Sequence, residues 1–298
     1  MTNPHAGNGK ALKLLKLIQK EPLFTQGKCR SYQTESAGHG EKLIRLLMKL
    51  HHTTIDHVIV IGGDGTLHEV MNGLTDFPST PVGFIPAGTG NDFARGTDMK
   101  TKGVERFKEI LRQPQFTQVK IGEYHQAAHS KKRVFVNSIG FGLDGEVVRK
   151  AAQQSRLIKW SFPYVWALLQ SLRTYDFFEA EVIIDQKKLK CRQFTMVTTA
   201  NHPYYGKGMK IAPQSSIHSP EFSIIIVEAM PKWKILLLFA TVFFGKHTGL
   251  KEVHEFRGRE VRVFPKEIIS GQVDGQPIKI EDCTIRKSKQ VSSFILKV

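Results

Sequence analysis

The sequence predicts an α/β domain over residues 1–120 followed by a mainly antiparallel β domain over residues 121–298. Three observations predict it. Apolar runs of strand length alternate with helix-spaced apolar residues up to about residue 120. After that point strand-like runs separated by turn residues dominate. Two glycine-rich segments each follow a continuous apolar strand, as strand-to-helix turns do in parallel sheets.

Taken in order, Ala11–Lys20 carries apolar residues at helical spacing, and Cys29–Gln33 reads as a short strand. Glu41–Leu50 is an amphipathic helix with Leu43, Leu46, Leu47 and Leu50 on one face. Val58–Ile61 is a buried strand, and Leu67, Val70, Met71 and Leu74 recur at helical spacing after it. Val82–Ile85 is a second buried strand, and Val104–Leu111 a helix. Alternation of this kind implies a parallel sheet covered on both faces. In the second half the strand-like runs are Val134–Ile139, Ala180–Ile184, Phe194–Thr199, Phe222–Val227, Glu260–Phe264, Pro277–Ile280 and Ser293–Val298. One helical insert, Leu157–Tyr175, interrupts them and carries Trp160, Phe162, Tyr164 and Trp166. Those aromatics fit either a core or a lipid interface. The strand that usually feeds the first loop of such a domain is reduced to Met1–Thr2, which points to a longer natural N-terminus.

Composition is globular, with 41% hydrophobic and 23% charged residues. The formal net charge of +16 favours an anionic partner: nucleic acid, an acidic membrane or a phosphorylated ligand. Against that background residues 51–100 hold six acidic residues (Asp56, Asp64, Glu69, Asp76, Asp92, Asp98) and two basic ones (Arg95, Lys100). A local pool of carboxylates suits a metal-dependent site, and a solvated acidic face would look the same. No helix-turn-helix, zinc-finger or RNP-like motif supports nucleic-acid binding. The three cysteines, Cys29, Cys191 and Cys283, are widely spaced without a CxxC, which favours a reducing cytoplasm over a disulfide framework. Among the twelve histidines none has the spacing of a metal motif. The longest apolar run, Ile235–Phe244, is too short for a bilayer core, which takes about 20 helical residues. It reads as a buried helix or, flanked by Lys232, Lys234 and Lys246, as a helix lying in a membrane interface. Lys131-Lys132-Arg133 reads as a solvated hairpin tip or a contact for anionic headgroups.

The chemistry concentrates in two turns. Gly62-Gly63-Asp64-Gly65-Thr66 lies between the strand Val58–Ile61 and a helix starting near Leu67. Glycines there let main-chain N–H groups approach a phosphate, and the helix N-terminus adds partial positive charge. Pro86-Ala87-Gly88-Thr89-Gly90-Asn91-Asp92-Phe93-Ala94-Arg95 follows the strand Val82–Ile85 and describes a second anion-binding turn. Gly7-Asn8-Gly9-Lys10 is not a Walker loop, because Ala11 stands where Ser or Thr is required.

Asn3-Pro4-His5-Ala6-Gly7, the Gly62–Thr66 turn and the Pro86–Arg95 segment together resemble the catalytic domain of the diacylglycerol kinase family, in its bacterial lipid-kinase branch. Further matches are Phe135-Val136-Asn137 through Gly142-Leu143-Asp144, Tyr205–Met209 with Ala212-Pro213, and Val273-Asp274-Gly275. The resemblance implies a doubly wound α/β domain of the NAD kinase and phosphofructokinase kind, a C-terminal β-sandwich, a last strand that can return to the first domain, and an active site in the cleft between the two. It implies ATP and magnesium as cofactors and a diacylglycerol-like lipid, phosphorylated on a hydroxyl to phosphatidic acid or an analogue. Sphingoid bases, ceramide and prenols remain open as substrates. A membrane surface with anionic phospholipid is the implied partner, a homodimer is compatible, and a cytoplasmic protein with peripheral membrane association is expected.

Carried over by position, Asn3, Pro4, His5, Ala6, Gly7, Thr34, Gly62, Gly63, Asp64, Gly65, Thr66, Leu67, His68, Gly88, Thr89, Gly90 and Asn91 would hold the nucleotide. Asp64 and Asp92 would organise magnesium, and Asp144 and Asp274 would complete the catalytic set. Two departures stand out. The family often reads Asp-Gly-Glu where this chain has Asp274-Gly275-Gln276, and Gln276 cannot accept a proton at neutral pH. Ser219-Pro220-Glu221 stands where the family has an Asp-Gly turn at a structural magnesium site. Both leave open a nucleotide- or lipid-binding regulator with weakened catalysis.

Overall fold

The computed structural model describes residues 1–127, 131–154, 163–190 and 193–296. The chain divides into two compact units, Met1–Ile121 with Ser288–Val298, and Gly122–Lys287.

In the first unit Val58–Gly62 and Val82–Pro86 run parallel. Ser292–Ile295 lies parallel to Val82–Pro86 on its other side, and Phe116–Val119 closes that edge antiparallel. Thr2 forms parallel bridges to both Ile61 and Gln33, so Met1–Thr2 does supply a vestigial strand beside Val58–Gly62. Cys29–Gln33 is otherwise not a strand: its pairing stops at that single bridge. Lys10–Ile18, Asp64–Gly73 and Gly103–Arg112 pack on the sheet, and His39–His51 packs on Asp64–Gly73. The apolar stripes of Lys10–Ile18 and Gly103–Arg112 supply a core that includes Leu15, Ile18, Phe107 and Ile110 against Ile61 and Ile85. Arg106 is fully buried there, salt-bridged to Glu109 at 2.9 Å and bonded to the carbonyls of Phe84 and Ile295, which ties the last strand into this unit. The last strand thus belongs to the first unit.

The second unit is almost wholly antiparallel. Its strands form two layers: Ser138–Gly142, Gln193–Ala200, Phe222–Glu228, Val253–Gly258, Ile269–Val273 and Gln276–Ile280 in one, and Gly122–Gln126, Arg133–Phe135, Phe178–Ile184, Glu260–Pro265 and Cys283–Lys287 in the other. Phe178 and Glu179 join the layers by pairing with Phe194 and Gln193. The core between them includes Phe135, Phe141, Val182, Phe194, Phe222, Val261 and Ile285. A second core packs the helices Leu143–Gln154, Pro163–Thr174 and Lys232–Val242 on the outside of the first layer.

Val134–Ile139 is not one strand: it breaks at Val136–Asn137 between Arg133–Phe135 and Ser138–Gly142. The reason is a side-chain clamp described below. Trp160 and Phe162 of the helical insert lie outside the described residues, as does Cys191; Cys29 and Cys283 are free thiols. No described helix is long and apolar enough to cross a membrane.

Candidate functional site

In the first unit the glycine turns meet at the carboxyl ends of the two parallel strands. The amides of Ala87 and Gly88 both donate to the carbonyl of Gly62, at 2.7 and 3.1 Å. A Cβ on Gly88 would stand 2.5 Å from the Cα of Gly63. Only glycine at both positions lets the two main chains pass so closely. The Asn3–Gly7 turn closes on the same spot, because a Cβ on Gly7 would meet the Ala87 carbonyl at 2.1 Å.

Asp64 locks the two turns together. Its Oδ2 accepts the amide of Asp92 and its Oδ1 that of Phe93, each at 3.0 Å, capping the short helix Asp92–Gly96 across 28 residues of sequence. Asn91 sits in the left-handed region at φ 54° and closes its loop with two bonds to Gly88, both 2.9 Å. Asp92 is buried and salt-bridged to Arg95 at 2.6 Å.

Thr34 is buried beside Thr2, whose carbonyl takes its amide. Its loop is fastened from the helix Asp64–Gly73: Glu69 accepts the amides of Gly38 and Gly40 at 2.8 and 2.9 Å. Glu69 was not singled out from sequence, although it is the one acidic residue following the Gly62–Thr66 turn on its helix. Leu67 and His68 are buried inside that helix; His68 Nε2 lies 3.3 Å from the Asn72 amide nitrogen. Their side chains belong to the packing beneath the turns.

Among the described residues no group of three His, Cys, Asp or Glu could hold a metal ion. Magnesium is usually held by one or two protein carboxylates together with substrate phosphates and water, so the neighbouring pair Asp64 and Asp92 fits it. At the proposed structural metal position the Ser219 hydroxyl accepts the Glu221 amide, which makes a side-chain turn of that segment.

In the second unit Asp274 and Gly275 form the two central residues of a hairpin between Val273 and Gln276, with φ of 50° and 78°. Positive φ at both positions is the type I′ turn that Asp-Gly favours. The Asp274 carboxylate accepts three main-chain amides, Val136 at 3.0 Å, Asn137 at 2.7 Å and Ser138 at 3.2 Å. This clamp is what breaks the strand at Val136–Asn137.

Asp144 stands in the first turn of the helix Leu143–Gln154 and is buried. It receives the Gly145 amide at 2.8 Å, the Thr198 hydroxyl at 3.2 Å and the Gln272 side-chain amide at 3.4 Å. A Cβ on Gly140 would lie 1.8 Å from its Oδ2, so the preceding strand needs glycine there. Burial pushes the Asp144 carboxyl up to about 7, against the opposing pull of the bonds from Gln272, Thr198 and Gly145. Gln272 also donates to Ser138 and accepts the Gly275 amide at 2.9 Å, so it couples the type I′ turn to Asp144. Neither Gln272 nor Thr198 carries a local motif that sequence reasoning could have used.

Asp144 lines a small pocket whose other walls include Val147, Val148, Tyr205, Met209 and Phe239. The Tyr205–Met209 turn holds that wall by paired main-chain bonds of 3.0 Å between its end residues. Nearby, His202 Nε2 lies 2.6 Å from Asn137 Oδ1 while its Nδ1 accepts the Tyr204 amide, so the ring is the neutral Nε2–H tautomer. Burial takes it down to about 4.

The family "Diacylglycerol kinase catalytic domain" matches residues 1–124, and "YegS C-terminal NAD kinase beta sandwich-like domain" matches residues 137–287. The chain is 32% identical to "Putative lipid kinase YtlR" of Bacillus subtilis, over 92% of this chain and 91% of that one. It is 26% identical to "Diacylglycerol kinase" of Mycobacterium tuberculosis (strain ATCC 25618 / H37Rv), over 88% and 83%. The solved structure titled "A putative diacylglycerol kinase from Bacillus anthracis str. Sterne" superposes with a TM-score of 0.77 over 99% of this chain and 95% of that one, at 20% identity, and shares its fold. Such matches support ATP-dependent lipid-kinase activity in general, with the magnesium that phosphoryl transfer from ATP uses. The chain belongs to the bacterial lipid-kinase family that joins a diacylglycerol kinase catalytic domain to a YegS-type C-terminal domain.

Proposed function

We propose that this protein transfers the γ-phosphoryl of ATP to a hydroxyl of a diacylglycerol-like lipid, giving phosphatidic acid or an analogue. The observation that carries the reading is Asp144: a buried carboxyl with a value near neutrality, at the wall of a pocket otherwise lined by apolar side chains. A carboxyl near pH 7 suits removal of a hydroxyl proton.

The nucleotide phosphates are assigned to the turns Asn3–Gly7, Gly62–Thr66 and Gly88–Asn91 with Thr34. Main-chain amides and the N-terminus of the helix Asp64–Gly73 offer positive potential there. Asp64 and Asp92 are the carboxylates assigned to magnesium, which when bound neutralises charge on the transferring phosphoryl group. Asp144 takes the proton of the lipid hydroxyl as that oxygen bonds to the γ-phosphorus. The bond from the γ-phosphorus to the bridging oxygen breaks, and ADP leaves. Asp274 acts as a brace, since its oxygens already accept three amides.

The test is transfer of label from γ-labelled ATP to dispersed diacylglycerol, sphingosine, ceramide and a prenol, with the product identified by mass. Labelled phosphatidic acid, lost in Asp144→Asn, is the expected result. Turnover of another lipid in preference to diacylglycerol would move the substrate class. A second reading, a nucleotide- or lipid-binding regulator with weakened catalysis, is favoured by Gln276 standing where the family often has glutamate and by Ser219 standing where it has an Asp-Gly turn. Calorimetric ATP binding without turnover of any of these lipids would select it.

A further inference from the structure

The helix Lys232–Val242 is predominantly apolar, with Lys232, Lys234 and Thr241 its polar side chains. One face, formed by Ile235, Leu238, Phe239 and Val242, is buried in the second unit's outer core. The opposite face carries Trp233, Leu236, Leu237 and Ala240, all exposed. At about 100° per residue these four share one arc, and Phe243 and Phe244 continue it past the last turn. Trp233 is 63% exposed and Phe244 76%. A helix of this composition is buried or meets lipid, and a contiguous exposed patch of aromatic and aliphatic side chains marks an interaction site. The one hydroxyl on the helix, Thr241, returns its proton to the carbonyls of Leu237 and Leu238, so the stripe carries little polarity of its own.

Cations gather at both ends of the stripe. At its start stand Lys232, bonded to the Arg173 carbonyl, and Lys234, paired with Glu252. At its end are Lys246 and Lys210, whose aliphatic chain lies against Gly245. An apolar aromatic stripe with a basic collar is the pattern of a helix lying in the headgroup layer. A second copy of the chain is the poorer occupant: a two-fold interface sets each patch against itself, which would bring the two lysine collars together.

We propose that the outward face of the helix Lys232–Val242, with Phe243 and Phe244, docks on an anionic bilayer. This inference rests on the lipid-kinase reading above for its purpose. Phe239, on the inner face of the same helix, lines the pocket that Asp144 shares. A helix lying in the interface would therefore set the depth at which Asp144 and that small pocket meet the bilayer.

The experiment is sedimentation of the full chain with phosphatidylcholine vesicles, with and without phosphatidylglycerol. Wild type binds the anionic vesicles. Trp233→Glu/Phe244→Glu lowers partitioning by at least about tenfold, and Lys232→Gln/Lys246→Gln lowers it about fivefold per lysine, chiefly at low salt. All these side chains are exposed, and unchanged melting temperatures verify the fold. Both variants keep wild-type rates on lipid dispersed in detergent micelles and lose rate on vesicles. Should no lipid be phosphorylated in any form while the vesicle pattern holds, the docking face stands and the kinase reading falls. The proposal is overturned if wild type ignores anionic vesicles or the aromatic variant binds them unchanged. It is equally overturned if wild type is a dimer that the aromatic variant splits without loss of vesicle binding.

Discussion

The buried Asp144 carboxyl makes a prediction that separates stability from catalysis. Its ordinary value is 3.8, and burial takes it to about 7. Between those values the unfolded chain has lost the proton and the folded chain keeps it. Folding stability therefore falls as pH rises from about 4 to about 7, and stays flat above. At about 1.4 kcal/mol per pH unit the gap corresponds to a destabilisation on the order of 4 kcal/mol at neutral pH. Asp144→Asn preserves shape and an acceptor for Thr198 while removing the charge. Urea unfolding of both proteins at several pH values between 4 and 8.5 is the assay. The variant gains on wild type through that range and reaches its plateau advantage above about pH 7, while its lipid phosphorylation is lost. In wild type kcat/KM rises with pH through about 7, as the carboxyl ionises to accept the hydroxyl proton. Parallel stability curves would refute the claim that burial holds the proton on Asp144. A variant with wild-type turnover would refute its role as acceptor.

The remaining predictions follow the same contacts. Asp64→Asn loses turnover, and because an amide keeps only one acceptor for the Asp92 and Phe93 amides, it also costs about 1–2 kcal/mol in a urea titration. Gly88→Ala drives a methyl into the Gly63 backbone, so ATP affinity by calorimetry falls sharply while the second unit's near-ultraviolet signal is kept. Gly140→Ala pushes Asp144 from its place, with a loss of activity well beyond the about 1–3 kcal/mol expected from overpacking alone. Glu69→Ala releases the Gly38 and Gly40 amides and raises the KM for ATP more than it lowers kcat. His202, neutral and held at about 4, contributes stability that is lost as pH falls below 6.5; in an Asp144→Asn background His202→Gln flattens that acid limb.

What the sequence could show was local. The strands Val58–Gly62 and Val82–Pro86 and the helices after them were legible because both sides of a parallel strand are buried, leaving unbroken apolar runs bounded by glycine. The two glycine turns were legible because close main-chain approach needs glycine at fixed places. Cys29–Gln33 looked like a strand on residue preference alone, but its one neighbour is the two-residue stub Met1–Thr2, so there is almost no ladder to join. Val134–Ile139 looked continuous because each residue suits a strand; the break comes from Asp274, 137 residues away, drawing the Asn137 amide out of the ladder. Strands such as Ile269–Val273 escaped notice because Ser270, Gly271 and Gln272 interrupt the apolar pattern. Those same residues serve the site: Gly271 lets Gly145 approach it, and Gln272 reaches Asp144. The part Asp64 plays in the fold was not legible for a similar reason, since its role as a cap depends on a helix nearly thirty residues later.

The proposed role of Asp144 bears on the difficulty that Gln276 raises. With glutamine after Asp274-Gly275, the hairpin offers one carboxylate, and that one is wrapped in the amides of Val136, Asn137 and Ser138. A carboxylate that accepts three N–H donors is held in a fixed place, which suits a brace. Asp144 has the other environment: one main-chain amide, one hydroxyl, one long contact to Gln272, and apolar walls. Two carboxyls placed in contrasting surroundings take different tasks. Gln272 joins them, since it takes the Gly275 amide with its oxygen and offers its nitrogen to Asp144. Changing the residue at 276 alters the rim of the hairpin and leaves this linkage intact. Restoring the family's residue by Gln276→Glu should therefore leave the dependence of turnover on Asp144 in place. If Gln276→Glu instead rescued Asp144→Asn, the proton would have to leave through position 276, and Asp144 would revert to a structural residue.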